Sequence, residues 1–416
     1  MTLRSAVFRL LPILPLVFTS LAVAAQERVR PGDRFLVKAA DLPAPYATPS
    51  AANSPEAVRR ADGVLPRVPT GFAVTLFAGG LDNPRRMLAL DADTVIAVLS
   101  RPGRLVRLVD RDGDGRSDAS ATIASGFERP FGIALHAGRL YVADTRAVWA
   151  APANPRTGEP TAAFVPLTTA GALGPAAGHW TRNLAIHPDG SRLLVAVGSR
   201  SNLAEEPEPR ASILEFLLDG SGRRVVAGGL RNPVGLAFQP GSDRLWTVVN
   251  ERDGLGEELA PDYLARVVDG GFYGWPYAYA GTLPQPGYAE RRPDLVRASR
   301  LPEVLFRAHS APIDLAFYNR GAFPAEFRGD AFVALRGSWN AAEPRGYMVA
   351  RVTFANGEPT GGYEAFMTGF WTDGTRNAGV WGRPAGLVVD AAGALLVSDD
   401  VGGTIWRVTW TGKGAG

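Results

Sequence analysis

The chain has 416 residues, 46% of them apolar, with 48 glycines, 33 prolines and no cysteine. Its 44 basic and 41 acidic residues leave a formal charge of +3, and no basic stripe of the kind that nucleic acid requires is present. Disulfides are excluded, and a core of this size does not need them.

Residues 1–25 read as a secretory signal. Arg4 and Arg9 give the positive start, residues 10–23 the apolar run, and Ala22, Val23, Ala24 and Ala25 the small-residue cleavage site. The alternative, a membrane anchor, is disfavoured by the shortness of the run and by Pro12 and Pro15. An exported chain without cysteine fits a bacterial periplasm, the location expected here. Residues 26–68, rich in Ala, Pro and Arg, read as an extended lead-in packed partly on the outside of the folded body. Residues 71–78 alternate and form the first expected strand.

A unit then recurs: a polar residue, often proline, a short apolar strand, a turn and a second apolar strand. It begins at Asn83-Pro84, Arg129-Pro130, Arg182-Asn183, Asn232-Pro233, Ala311-Pro312 and Arg383-Pro384. Most copies lie roughly 45 to 55 residues apart, the length of a four-stranded unit. Such units bury their faces only against one another. Six copies therefore predict one all-β, six-bladed β-propeller over residues 69–411, with 412–416 as a tail. The strand at 404–409 is expected to complete a blade begun near Phe72, removing the exposed edge.

Between two strands, Asp110, Asp112, Asp114 and Asp118 resemble the first half of a calcium loop, but Ala121 stands where the closing Glu belongs. An Asp-Gly turn and a weak calcium site both remain open. Residues 150–178, 198–210, 254–266 and 281–302 read as long loops, and loops leaving one face of a rigid scaffold carry function. Aromatics beside glycines at 270–277 predict a wall or a lid.

Of the four histidines, His136 and His187 lie at surface turns. His309 and His179 enter the fifth and third repeats. Equivalent ends of successive units face one centre, so His179, Arg231, Asn232 and Arg383 are expected to converge. Imidazole can act as a base near neutral pH, and guanidinium groups hold carboxylates bidentately.

Arg231-Asn232-Pro233-x-Gly, Gly270-Gly271-x-Tyr273-Gly274-Trp275-Pro276, Leu335-Arg336-Gly337-Ser338-Trp339-Asn340 and Val380-Trp381-Gly382-Arg383-Pro384 occur in that order. In these motifs the chain resembles the soluble quinoprotein glucose and sorbosone dehydrogenase family, over residues from about 69 to 411. The resemblance implies a propeller holding pyrroloquinoline quinone and calcium centrally, and oxidation of a sugar or related aldehyde by hydride transfer to the quinone. It makes His179 the base and sets Arg231 and Asn232 beside the quinone carbonyls. Arg336 and Arg383 become the holders of the cofactor's carboxylates. Calcium falls to the backbone carbonyls of Arg252 and Asp253, with Asp262 in the adjoining acidic loop. Two departures stand out. Tyr263 and Ala265 replace a carboxylate and an amide common in relatives, and residues 198–202 lack the cysteines many relatives carry. Two other readings are kept: a calcium-dependent lactonase-type hydrolase, and a binding propeller that has lost its cofactor. No Cys-x-x-Cys-His haem signature points to an electron acceptor.

Overall fold

The computed structural model describes residues 29–412, so the expected signal segment and most of the tail lie outside the described residues. The described chain is all-β, with one six-residue α-helix, Pro293–Ala298, inside the expected 281–302 loop. Among the described residues no helix is long and apolar enough to cross a membrane.

Six sheets of four or five strands, antiparallel except for one short parallel edge pair in the third, account for most of the chain, and each repeat opens one of them. Their first strands are Pro84–Ala89, Gly132–His136, Leu184–Ile186, Asn232–Phe238, Pro312–Phe317 and Pro384–Val389. Each first strand packs against the next in chain order, and the sixth packs against the first. The sixth sheet is completed by Phe72–Ala78, which pairs antiparallel with Thr404–Trp410 from Phe72–Trp410 onward. Chain ends thus meet in one sheet, as the repeat pattern requires.

Three glycines let the first strands approach. A Cβ on Gly132 would lie 2.5 Å from Leu184 N, one on Gly235 would lie 2.9 Å from Asp314 Cα, and one on Gly386 would lie 2.1 Å from Arg85 O. No side chain fits at any of the three, so glycine here is required by the neighbouring backbone. The residue after the repeat proline fills the centre: Phe131, Val234, Ile313 and Ala385 form one buried cluster, capped by Trp180. Larger clusters lie between sheets, such as that of Trp246, Val248, Phe306 and Val333 between the fourth and fifth.

The lead-in is stitched to the rest of the fold by short pairings and by the bridges Val37–Leu305 and Arg67–Thr368. Arg34–Phe35 adds to the fifth sheet, and Glu56–Ala57 pairs with Gly379–Val380. The acidic turn at 110–118 folds back on itself, with carboxylate oxygens of Asp110, Asp112 and Asp118 within 4.8 Å of one another. Asp110 accepts the N–H groups of Gly113 and Gly115, Asp118 accepts that of Arg111, and Arg407 lies 3.5 Å from Asp110.

Candidate functional site

The site residues sit where first strands begin and where second strands end. His179 precedes the third sheet. Its Nδ1 lies 2.9 Å from Ser199 O and 3.0 Å from Ser199 Oγ. A carbonyl only accepts, so Nδ1 carries the proton and Nε2 presents its lone pair. Burial, reinforced by the positive Arg231, pushes the imidazole pKa down to about 3, so it is neutral at physiological pH. The loop that carries it is clamped by two buried guanidinium groups. Arg182 donates to Pro175 O and His179 O, and Arg210 donates to Pro175 O and Ala177 O.

Gly198 separates His179 from Asn232: a Cβ there would come within 2.5 Å of Asn232 Oδ1 and 2.6 Å of His179 Cβ. Asn232 Oδ1 is buried and has no hydrogen-bond partner. Arg231 is 5% exposed and held by Asn202, donating Nε to its carbonyl and Nη2 to its side-chain oxygen at 2.8 Å, while Nη1 reaches Glu251 O at 2.7 Å. Asp253 lies 3.7 Å from Arg231, and its carbonyl accepts from Asn202 Nδ2 at 2.9 Å. Asn202 therefore aligns the arginine and the Asp253 carbonyl together.

The loop after Asn250 rests on a buried layer. Arg252 turns its guanidinium inward, to Glu251, Gln285 Oε1, Pro276 O and Ala278 O, so only its backbone is available to a ligand. Asp262, expected beside the calcium carbonyls, is 2% exposed, with its oxygens accepting Glu251 N–H and Ala311 N–H at 2.8 Å each. Burial pushes its carboxyl up, to about 7, against the pull of those two bonds. Asp262 thus braces the Glu251–Asp253 loop from below, with one backbone N–H on each oxygen. The Gly270–Pro276 stretch is a wall, not a lid: Trp275 is 3% exposed and donates Nε1 to Asn202 O.

Across the cluster, three arginines surround one carboxylate. Arg85 Nη2 and Arg336 Nε both reach Asp400 Oδ2, at 2.6 and 2.8 Å. Arg383 donates Nε to Arg336 O at 2.9 Å and Nη2 to Gly337 O, and stacks on Tyr347. Burial first, then Arg336, lowers the Arg383 pKa to about 9. Arg85 also lies over the Trp180 ring, next to His179, which joins the two halves. Three guanidinium groups against one ionised carboxylate leave a positive excess suited to a ligand with carboxylates.

Sequence reasoning gave neither Arg85 nor His309 a role in the site. Arg85 occupies the position after the repeat proline, which is apolar in the copies at Phe131, Val234, Ile313 and Ala385; a charge in that column was the available signal. His309 is buried, with Nε2 3.2 Å from Gly256 O and Nδ1 3.0 Å from Asn340 Nδ2, which in turn donates to Asp253 at 2.6 Å. Its entry position, shared with His179, was its only mark.

Residues 66–262 and 295–411 match the model of TrAA12-like proteins. The chain belongs to that family. The resemblance drawn from the four motifs agrees with this. The unmatched stretch between the two ranges begins at Tyr263. The chain is 30% identical over 233 residues to an uncharacterized protein of Borreliella burgdorferi, 55% of this chain, and spans 60% of that relative's length. It is 25% identical over 399 residues to a pyrroloquinoline quinone-dependent sugar dehydrogenase of Hypocrea jecorina, covering 81% of this chain and 87% of that one. Among solved structures, the holo pyranose dehydrogenase PQQ domain of Coprinopsis cinerea superposes with a TM-score of 0.70 at 22% identity, over 86% of this chain and 100% of that one.

Proposed function

We propose that this TrAA12-like protein is a periplasmic sugar dehydrogenase that uses pyrroloquinoline quinone and calcium. The six sheets are taken as the blades of one propeller over residues 69–411, following a signal segment at 1–25 and a lead-in at 26–68. The observation that carries the reading is the pairing of an orphaned, buried Asn232 Oδ1 beside His179 with an arginine excess across the same centre. The similarity to a quinone-dependent sugar dehydrogenase supports it.

In this reading Arg336 and Arg383, joined by Arg85, hold the cofactor's carboxylates, and Arg231 and Asn232 face its carbonyls. The backbone carbonyls of Arg252 and Asp253 face the calcium, and Asp262 fixes their loop. The quinone supplies a two-electron acceptor for the hydride of the sugar carbon, with calcium as the Lewis acid that polarises it. His179 takes the hydroxyl proton at Nε2. Ser199 O keeps the reactive nitrogen unprotonated by engaging Nδ1–H. Arg182 and Arg210 keep the base in place by holding the carbonyls of its loop.

The test is reconstitution. Pyrroloquinoline quinone and calcium chloride are added to the purified protein, absorption is followed, and aldoses are assayed with an artificial dye acceptor. Bound-quinone absorption that bleaches on adding an aldose is expected, with activity lost on calcium chelation. A protein that binds quinone but reduces no dye with any aldose, or that binds none, refutes the reading.

A further inference from the structure

One segment of the lead-in, residues 44–58, lies outside the matched family region. It crosses the loops of three sheets in succession. Tyr46 N donates to Leu255 O at 2.7 Å, and Thr48 Oγ1 accepts from Glu257 N at 2.8 Å. Gly256 lies directly beneath: a Cβ there would come within 2.9 Å of Thr48 O, so strap and loop are in backbone contact. Asn53 N donates to Trp339 O at 2.8 Å. The Asn53 side chain, 8% exposed, donates Nδ2 to Ala341 O, Ala342 O and Thr375 O at 2.9, 3.1 and 2.7 Å. Its Oδ1 accepts from Asn377 N at 2.8 Å. Beyond it, Glu56 N and Val58 N donate to Ala378 O and Val380 O, both at 2.9 Å.

The loops it ties carry site groups. The first contains Asp253 and Gly256, and the second contains Asn340, which bonds Asp253 and His309. Neither loop belongs to a strand ladder at these positions. Their carbonyls at 339, 341, 342 and 375 are satisfied by one asparagine, and a buried carbonyl without a donor is not tolerated.

We propose that residues 44–58 form a strap whose Asn53 and Thr48 set the mutual position of the 253–257, 339–342 and 375–377 loops, making Asn53 a positioning residue for ligand capture. An asparagine is required at 53 because the position needs a donor toward three carbonyls and an acceptor for one N–H at the same point. Alanine removes both, and aspartate turns a carboxylate on three carbonyl oxygens. The ligand alone rests on the dehydrogenase reading; the coupling of strap to loops does not.

Hydrogen–deuterium exchange on the full, ligand-free protein tests the coupling. Asn53→Ala should speed exchange about tenfold or more at residues 339–342 and 375–377, with Leu395–Asp399 of the sixth sheet unchanged. Acceleration confined to residues 44–58 overturns the proposal. Thr48→Ala, a milder change kept in case the first variant does not fold, should accelerate residues 256–257 and leave 375–377 alone; no change at 256–257 also overturns it. Calorimetric titration with pyrroloquinoline quinone in calcium chloride, under conditions where a urea titration shows the variant fully folded, should then show about tenfold weaker binding for Asn53→Ala. Equal affinity shows the strap to be a cover and overturns the positioning role. If the wild type binds no quinone, the dehydrogenase reading falls and the exchange result alone decides the strap.

Discussion

Asp314→Ala is the sharpest probe of how the six sheets hold together. Asp314 is fully buried on the first strand of the fifth sheet. One of its oxygens accepts from Arg86 Nη1 of the first sheet, and the other accepts from Leu387 N of the sixth at 2.9 Å. A single carboxylate therefore joins three sheets at their centre. Truncation strands the Arg86 guanidinium, which costs about 3–5 kcal/mol when a buried pair loses one partner. It also orphans the Leu387 N–H, worth about 1–3 kcal/mol. The Arg86 side chain is 16% exposed, so water reaches it and the lower end applies. The expected loss is roughly 4 kcal/mol, read as a fall in the urea midpoint at constant slope, followed by tryptophan fluorescence. Arg86→Met in the Asp314→Ala background should recover part of the loss, because the stranded charge is gone. A loss under about 1 kcal/mol for Asp314→Ala would refute the claim that this carboxylate holds the three sheets together.

The remaining predictions concern the site and the seam. His179→Gln should keep quinone affinity and lose about 10²- to 10⁴-fold in kcat and kcat/KM; turnover within about threefold of wild type rejects the base assignment. The histidine's proton affinity gives a separate check. Its pKa of about 3 lies below the ordinary 6.5, so the unfolded chain takes up this proton first, and stability should fall as pH drops below about 6.5. His179→Gln should flatten that fall, and nitrogen NMR should show Nε2 unprotonated down to about pH 4; a titration midpoint near 6.5 contradicts the geometry. Arg383→Ala and Arg85→Ala should each weaken quinone binding by about 1.5–3 kcal/mol in calorimetry, and unchanged affinity in either removes that arginine from the cofactor set. Deleting residues 404–416 removes the strand that pairs with Phe72–Ala78 and should give insoluble or molten protein; a soluble truncation with a cooperative melt argues against closure.

The repeat was legible because its signals are local. Proline fixes a strand start, alternation fixes the faces, and the spacing of about fifty residues fixes the unit, so each copy could be read without its neighbours. His179, Arg231, Asn232 and Arg383 drew attention for the same reason: each sits at a repeat entry. The tertiary structure decided the rest, where a residue's role depends on which sheet lies beside it. Gly132, Gly235 and Gly386 look like ordinary turn residues until the neighbouring backbone lies within 3 Å of where a side chain would be. Arg85 reads as one more charged residue until Asp400 and Trp180 arrive from distant parts of the chain. Asp262 reads as one acid in a polar loop until the N–H groups of Glu251 and Ala311 meet its two oxygens. Asn53 lies in a stretch with no periodicity at all, and its partners are more than 280 residues away. Hydrophobic period and turn chemistry are written residue by residue, whereas hydrogen-bond partners between sheets exist only once folding has brought the sheets together.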